Sequence, residues 1–268
     1  MYSTPPLSPP VGSNGDGVRR IEIFKDDEDP NVQFLNTVPK VGIGQCPFII
    51  KTPHGLVIWE VASYIDQPTI DAVKAMGEVK GIAMSHPHFY GPLFVWSEAF
   101  GNCPIYLPKI DKNWVQMEDK RNVIKYYEDE AEIVPGCKVV RVGGHFPGSA
   151  VLSVGEKLFV SDTLLMTPCA TNHRAPSFTF QRSVTNWRQV PLPPSELISM
   201  WQVIKKINFT VAYGAKPVYP QFQIIRDSEM NEREKDNGET VKYKVLEAMH
   251  IQIRSMGHEI IPEMGLEM

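Results

Sequence analysis

From Val32 onward, short apolar runs alternate with amphipathic stretches, and Gly, Pro, Asn or Asp stand at the joins. Phe48 to Lys51 and Leu56 to Val61, joined by Thr52-Pro53-His54-Gly55, read as a β-hairpin with His54 as a surface turn residue. Asp66 can cap a helix from about Gln67 to Met76, and Gly77 can stop it. Val79 to Met84 then reads as a buried strand ending in a loop, which completes a strand–helix–strand step. Pro92 to Phe100 predicts an apolar helix with Phe94, Trp96 and Phe100 in the core. Ile105 to Pro108 predicts a strand and Asp111 to Val115 a short helix.

The second half repeats the alternation. Lys138 to Val142 and Ala150 to Val154 are strand-like runs around a Gly/Pro turn, and Lys157 opens another apolar strand with Asp162 at its carboxyl end. Thr167 to Pro194 is long and punctuated by proline, the pattern of a loop that shapes a pocket. Leu197, Ile198, Trp201, Val203 and Ile204 recur at helical spacing between Pro194 and Ile207. Phe209 to Gly214 predicts a strand, and the charged run Arg226 to Glu239 a solvated loop or frayed helix. Val241, Val245, Met249 and Ile253 form a helical stripe over Thr240 to Met256, with Gly257 as its stop; His250 and His258 fall too late and too near the surface to be expected as ligands. Met1 to Gly17, rich in Pro, Gly and Ser, lacks the apolar content to fold and predicts a disordered tail, in which Pro6-Leu7-Ser8-Pro9 is a PxxP-like segment. Residues 18–268 are expected to form a single domain.

Composition narrows the function classes. With 268 residues, 43% hydrophobic and 22% charged, the chain can bury a full α/β core, built as one domain or as two fused β-sheet halves. A net charge of −4 leaves no basic footprint for nucleic acid. The four cysteines, Cys46, Cys103, Cys137 and Cys169, form no CxxC pair and read as mostly buried, reduced thiols. The chain shows no signal-peptide pattern and no apolar run near 18 residues, so a soluble cytoplasmic protein without membrane attachment is expected. The oligomeric state stays open.

The candidate chemistry lies at the ends of the apolar strands. Ser85-His86-Pro87-His88-Phe89-Tyr90-Gly91 follows the Val79–Met84 run, and side chains two apart on extended backbone point to one side, so His86 and His88 can share an ion. Fifty-seven residues later His145 sits in the turn Gly143-Gly144-His145-Phe146-Pro147-Gly148-Ser149, and seventeen residues beyond that comes Asp162. Each of these residues stands just past a strand, where open sheets collect their chemistry.

From about Asn36 to about Pro217 this combination resembles the metallo-β-lactamase superfamily, which carries His-x-His-x-Asp-His after a strand, a Gly-His-x-Pro-Gly-Ser turn, a Gly-Asp or Ser-Asp after a strand and a last His near the end. The resemblance implies a four-layer αβ/βα fold with His86, His88 and His145 as first-site metal ligands and Asp162 as the bridging acid. It also exposes departures. Tyr90 and Gly91 stand where the second metal's Asp and His belong, and Tyr213 stands where the late His is expected. In the family an Asp ends the second hairpin strand; here Glu60 is the nearest acid. Neither glycine nor a neutral phenol replaces those donors, which argues against a standard dinuclear site.

Three readings follow. Three imidazoles with one open position fit catalytic zinc, with Asp162 as a fourth ligand or as the base that orients the water, hydrolysing a small ester, thioester, lactone or lactam. Two histidines with Asp162 would suit a single iron, as in persulfide dioxygenases. The third is a metal-free, catalytically silent protein that binds a small molecule or a partner in the old pocket. Tyr90 and Tyr213 either donate hydrogen bonds to a developing charge or fill the space of the missing metal. In the 167–194 segment, His173 could be a ligand or proton shuttle, and Arg174 and Arg182 could hold a substrate carboxylate.

Overall fold

The loops that carry the candidate ligands hang from strand ends in two large sheets. The computed structural model describes residues 19–42, 44–170, 175–185, 188–214 and 223–268; the expected tail 1–17, His173 and Arg174 lie outside them. The chain divides into two compact units, Met1–Pro135 and Gly136–Met268.

In the first unit, strands β1 (Arg20–Lys25), β2 (Val32–Val38), β3 (Phe48–Thr52) and β4 (Gly55–Trp59) form an antiparallel meander. Helix α1 (Gln67–Met76) then crosses to β5 (Val79–Ala83), parallel to β4. Helix α2 (Leu93–Ala99) crosses to β6 (Ile105–Pro108), and β7 (Ile124–Tyr127) adds a further parallel strand. The sheet order is therefore β1-β2-β3-β4-β5-β6-β7, and β8 (Glu130–Val134) closes the unit.

Helix α1 has the predicted bounds for the predicted reasons. The Asp66 side chain accepts the Thr69 N–H at 2.9 Å, and Gly77 follows the last turn at φ +151°. Asp66 also accepts the Ile21 N–H at 3.3 Å, which ties β1 to the start of the helix. Gly81 in β5 admits the close approach of Ile133 and Tyr106: a Cβ there would lie 2.8 Å from each. Ile58, Ile82, Ile105, Leu107 and Trp96 are among the fully buried core residues, each contributing roughly 2 kcal/mol by burial. Trp96 satisfies its indole N–H on the Ala62 carbonyl at 2.9 Å. Phe94, on α2, is half-buried and packs against this core. The expected short helix at 111–115 is a 3-10 segment over Lys109–Trp114.

The second unit opens with an antiparallel meander of β9 (Cys137–Arg141), β10 (Ala150–Val154) and β11 (Lys157–Phe159). Between Thr167 and Pro194, expected as a loop, the described residues form short ribbons. Strand β12 (Leu165–Met166), just before the segment, pairs with β13 (Phe178–Thr179) within it, and β14 (Gln181–Thr185) pairs with β15 (Arg188–Pro191). Helix α3 (Pro194–Ile204) leads to β16 (Val211–Tyr213), parallel to β11, and β17 (Ile224–Arg226) pairs with β16. Helices α4 (Glu232–Asp236) and α5 (Val241–Ser255) follow.

Trp201, Val245, Met249, Leu158 and Phe180 lie in this unit's core. The charged run before α5 is more structured than its composition predicts. Asn231 and Glu234 form a capping box on α4, and Glu234 is buried in an ion pair with Lys244 at 2.9 Å. Among the described residues, no helix is long and apolar enough to cross a membrane.

Candidate metal centre

β5 ends at Ala83, and the chain then runs extended through His86 (φ −167°, ψ 168°) into a one-turn 3-10 helix, Pro87–Phe89. This places the His86 Nε2 and His88 Nδ1 atoms 3.2 Å apart. Two bare lone pairs would repel at that distance, so one nitrogen carries a proton or both face a cation. Ligands bound at about 2.0–2.1 Å around a tetrahedral ion stand about 3.3 Å apart, so the pair is already at the spacing an ion requires. His86 is fully buried while His88 is exposed, which leaves the pair open to solvent on one side.

Buried neighbours fix His86. The Ser85 hydroxyl contacts His86 Nδ1 at 2.6 Å, and Phe89 packs against the ring with centroids 4.7 Å apart. Glu60, whose role the sequence leaves open, is completely buried at the end of β4, and its Oε1 accepts the Ser85 N–H at 3.2 Å. Its backbone sits at φ +65°, a region that costs a non-glycine residue of order 1 kcal/mol and that surrounding contacts must hold. Glu60 thus braces the histidine loop.

His145 is held by a different device. Gly143 and Gly144 adopt φ +77° and +87°, and a Cβ on Gly144 would come within 2.8 Å of Met200 and Thr163. Inside the turn the Ser149 hydroxyl accepts the Phe146 N–H at 2.8 Å, and the Ser149 carbonyl accepts from Val142 and Gly143. The buried His145 ring contacts the Gln181 carbonyl through Nδ1 at 2.8 Å. A carbonyl only accepts, so Nδ1 bears the hydrogen and the neutral ring offers its lone pair at Nε2. Such outer contacts orient metal-binding imidazoles.

Asp162, buried three residues past β11 at the start of a 3-10 segment, places Oδ2 3.9 Å from His145 Nε2, beyond hydrogen-bond reach. Its neighbour Thr163 donates to the Gly143 carbonyl and accepts the His145 N–H at 3.5 Å, which joins the acid's loop to the histidine's turn. The predicted ligands His86, His88, His145 and Asp162 form a His/Asp cluster that could hold a metal ion. Its donors are three imidazoles and one carboxylate, a set suited to zinc or iron.

The remaining candidates have other surroundings. Tyr90 is buried, and burial pushes its phenol well above its ordinary pKa, aided by Asp111, Tyr127, Glu60 and Tyr126; it is a neutral donor at physiological pH. Tyr213, at the end of β16, stacks on Phe159 at 4.6 Å and 10°. Arg182 pairs with Glu196, and His54 is exposed in its turn. His250 contacts the Leu266 carbonyl through Nε2 at 3.0 Å. The sequence does not single out Gln181 or Thr163: the first acts through its backbone, and the second is recognisable only by following Asp162.

These two sheets with their helices define the metallo-β-lactamase fold. The protein is similar to TMB-1 with a TM-score of 0.58 at 10% identity, covering 89% of this chain and 99% of that one. The DIM-1 metallo-β-lactamase is similar with a TM-score of 0.53 at 14% identity, over 78% and 92% of the two chains. A flavo-diiron protein from Thermotoga maritima gives 0.56 at 13% identity, over 88% of this chain and 62% of its own. The expected α/β class and superfamily likeness therefore hold. No known family profile matches the chain. In sequence it is 32% identical over 199 residues to the uncharacterised protein YmaE of Bacillus subtilis (strain 168), covering 72% of this chain and 69% of YmaE. The chain belongs to the family of YmaE.

Proposed function

We propose that His86, His88 and His145 hold a single metal ion, zinc in the first instance, and that the protein hydrolyses a small ester, thioester, lactone or lactam. The observation that carries this reading is the His/Asp donor set combined with Tyr90-Gly91, which lacks the donors of a second site. When bound, such an ion supplies Lewis acidity and a water that ionises near pH ~7. The protein's own residues do the rest. The Gln181 carbonyl and the Ser85 hydroxyl hold the imidazoles in place. Asp162 serves as a fourth ligand or as the base that orients the attacking water, and Tyr90 offers a neutral hydrogen bond to developing negative charge. DIM-1, a metallo-β-lactamase of this fold, is a precedent for a lactam. A cytoplasmic setting belongs to the same proposal: all four cysteines are free, and burial pushes the Cys46 and Cys103 thiols up to about 12.

Iron is the alternative, because two of the histidines with Asp162 also make a 2-His-1-carboxylate set and a flavo-diiron protein shares the fold. The test is turnover of p-nitrophenyl acetate, a thioester and a γ-lactone by zinc-loaded protein. The reading expects one of them to be hydrolysed with a rate rising through pH ~7 and lost in His145→Ala. Turnover of none, or equal turnover by the variant, contradicts it and favours a silent binding protein.

A further inference from the structure

The Gln181 carbonyl that meets His145 Nδ1 belongs to the β14–β15 ribbon, which is itself held by a side chain from α5, all within the second unit. At the start of the ribbon the Leu192 N–H donates to the Phe180 carbonyl at 3.0 Å. The next pair, Gln181 opposite Pro191, is therefore of the kind whose backbone groups turn out of the ribbon. Its Gln181 carbonyl lies 2.8 Å from the His145 ring nitrogen. Two residues on, the Ser183 N–H donates to the His145 carbonyl at 3.1 Å. The ring and the main chain of His145 thus both rest on β14.

Gln252 fixes the residue from which β14 departs. Its Oε1 accepts the Phe180 N–H at 3.3 Å, and its Nε2 donates to the Phe180 and Leu192 carbonyls, each at 3.0 Å. One amide so bridges the two chains of the ribbon immediately before Gln181. Phe180 and Leu192 are fully buried, where backbone groups need a protein partner because water is absent. The task calls for one acceptor and two donors at the end of a side chain of this length. A carboxylate of the same size has no hydrogen to donate, and leucine has neither donor nor acceptor.

We propose that Gln252 is a positioning residue for the metal centre. Its amide sets the backbone at Phe180 and Gln181, the Gln181 carbonyl keeps the ring hydrogen of His145 on Nδ1, and the bare Nε2 is left for an ion. Only the word metal rests on the reading above; the control of the His145 ring by Gln252 belongs to the chain alone.

The test uses the full chain, metal-free and zinc-loaded, with histidine nitrogens isotope-labelled for NMR and the His145 signals assigned by their loss in His145→Gln. At pH ~8, where an ordinary imidazole is neutral, the metal-free parent should show one His145 tautomer, with hydrogen on Nδ1. In Gln252→Glu and Gln252→Leu the ring should become a mixture of both tautomers. Zinc affinity, from competition with a chromogenic chelator, should fall about 10-fold in the same variants. Gln252→Asn keeps the amide one carbon short of its partners, so it should give an intermediate mixture and guards against a variant that does not fold. Val245→Ala thins the buried face of α5 without touching the amide. It should lower the thermal midpoint yet leave tautomer and affinity as in the parent, which separates aim from general loosening. Two tautomers in the parent, an unchanged tautomer in the Gln252 variants, or an equal response to Val245→Ala overturns the proposal. A tautomer that shifts in the Gln252 variants of a chain that binds no zinc upholds the link while the metal reading fails.

Discussion

At the scale of single residues, the candidate centre depends on groups that hold the imidazoles. His145 gains its orientation from a backbone carbonyl, which substitution cannot remove, whereas His86 relies on the Ser85 hydroxyl, which substitution can. Ser85→Ala should therefore weaken metal affinity by roughly 10-fold or more, as loss of an outer contact to a ligating histidine does, measured by competition with a chromogenic chelator; unchanged affinity would show that the hydroxyl has no part in it. His86, His88, His145 and Asp162 were legible in the sequence because each ends an apolar strand inside a recognisable turn. Glu60 was visible only as an acid of uncertain role. Its burial and its bond to the Ser85 N–H depend on the parallel pairing of β4 with β5, a contact across 25 residues that no local pattern reports.

At the scale of elements, signals carried by neighbouring residues were reliable. Helix α1 was legible to the residue because Asp66 and Gly77 mark its ends chemically. Asp66→Ala should lower unfolding free energy by about 1–2 kcal/mol, because it removes the cap and the acceptor for Ile21; a urea-denaturation midpoint equal to that of the parent would contradict this. The charged run before α5 is mostly exposed around a short helix, as expected, except at Glu234, whose partner lies further along the chain. Lys244, with only 5% of its side chain exposed, pairs with Glu234 and Glu239. Burial pulls its ammonium down, but the bonds and charges of Glu239 and Glu234 outweigh burial and hold it above its ordinary 10.5. A raised folded-state pKa stabilises the fold fully below the unfolded value and loses that contribution as pH rises through the folded one. Stability should therefore fall above pH ~10.5 in the parent. The fall should be smaller in Lys244→Met, which is itself destabilised by about 3–5 kcal/mol. Parallel pH curves from denaturant titrations would refute this role. The ribbons β12–β13 and β14–β15 were also missed, since two- to five-residue strands between prolines carry too short a period to read.

At the scale of the whole molecule, the fold and the YmaE family are established by likeness, while the proposed chemistry rests on the donor set His86, His88, His145 and Asp162. Tyr90, Gly91 and Tyr213 set this chain apart from the superfamily pattern, and they convert a question about substrate into one about metal count. Elemental analysis of the full chain after reconstitution and desalting answers it. The account expects about one zinc per chain, falling below about 0.2 in His145→Ala, as a three-imidazole site requires. About two ions per chain, or less than about 0.2 in the parent, would contradict it.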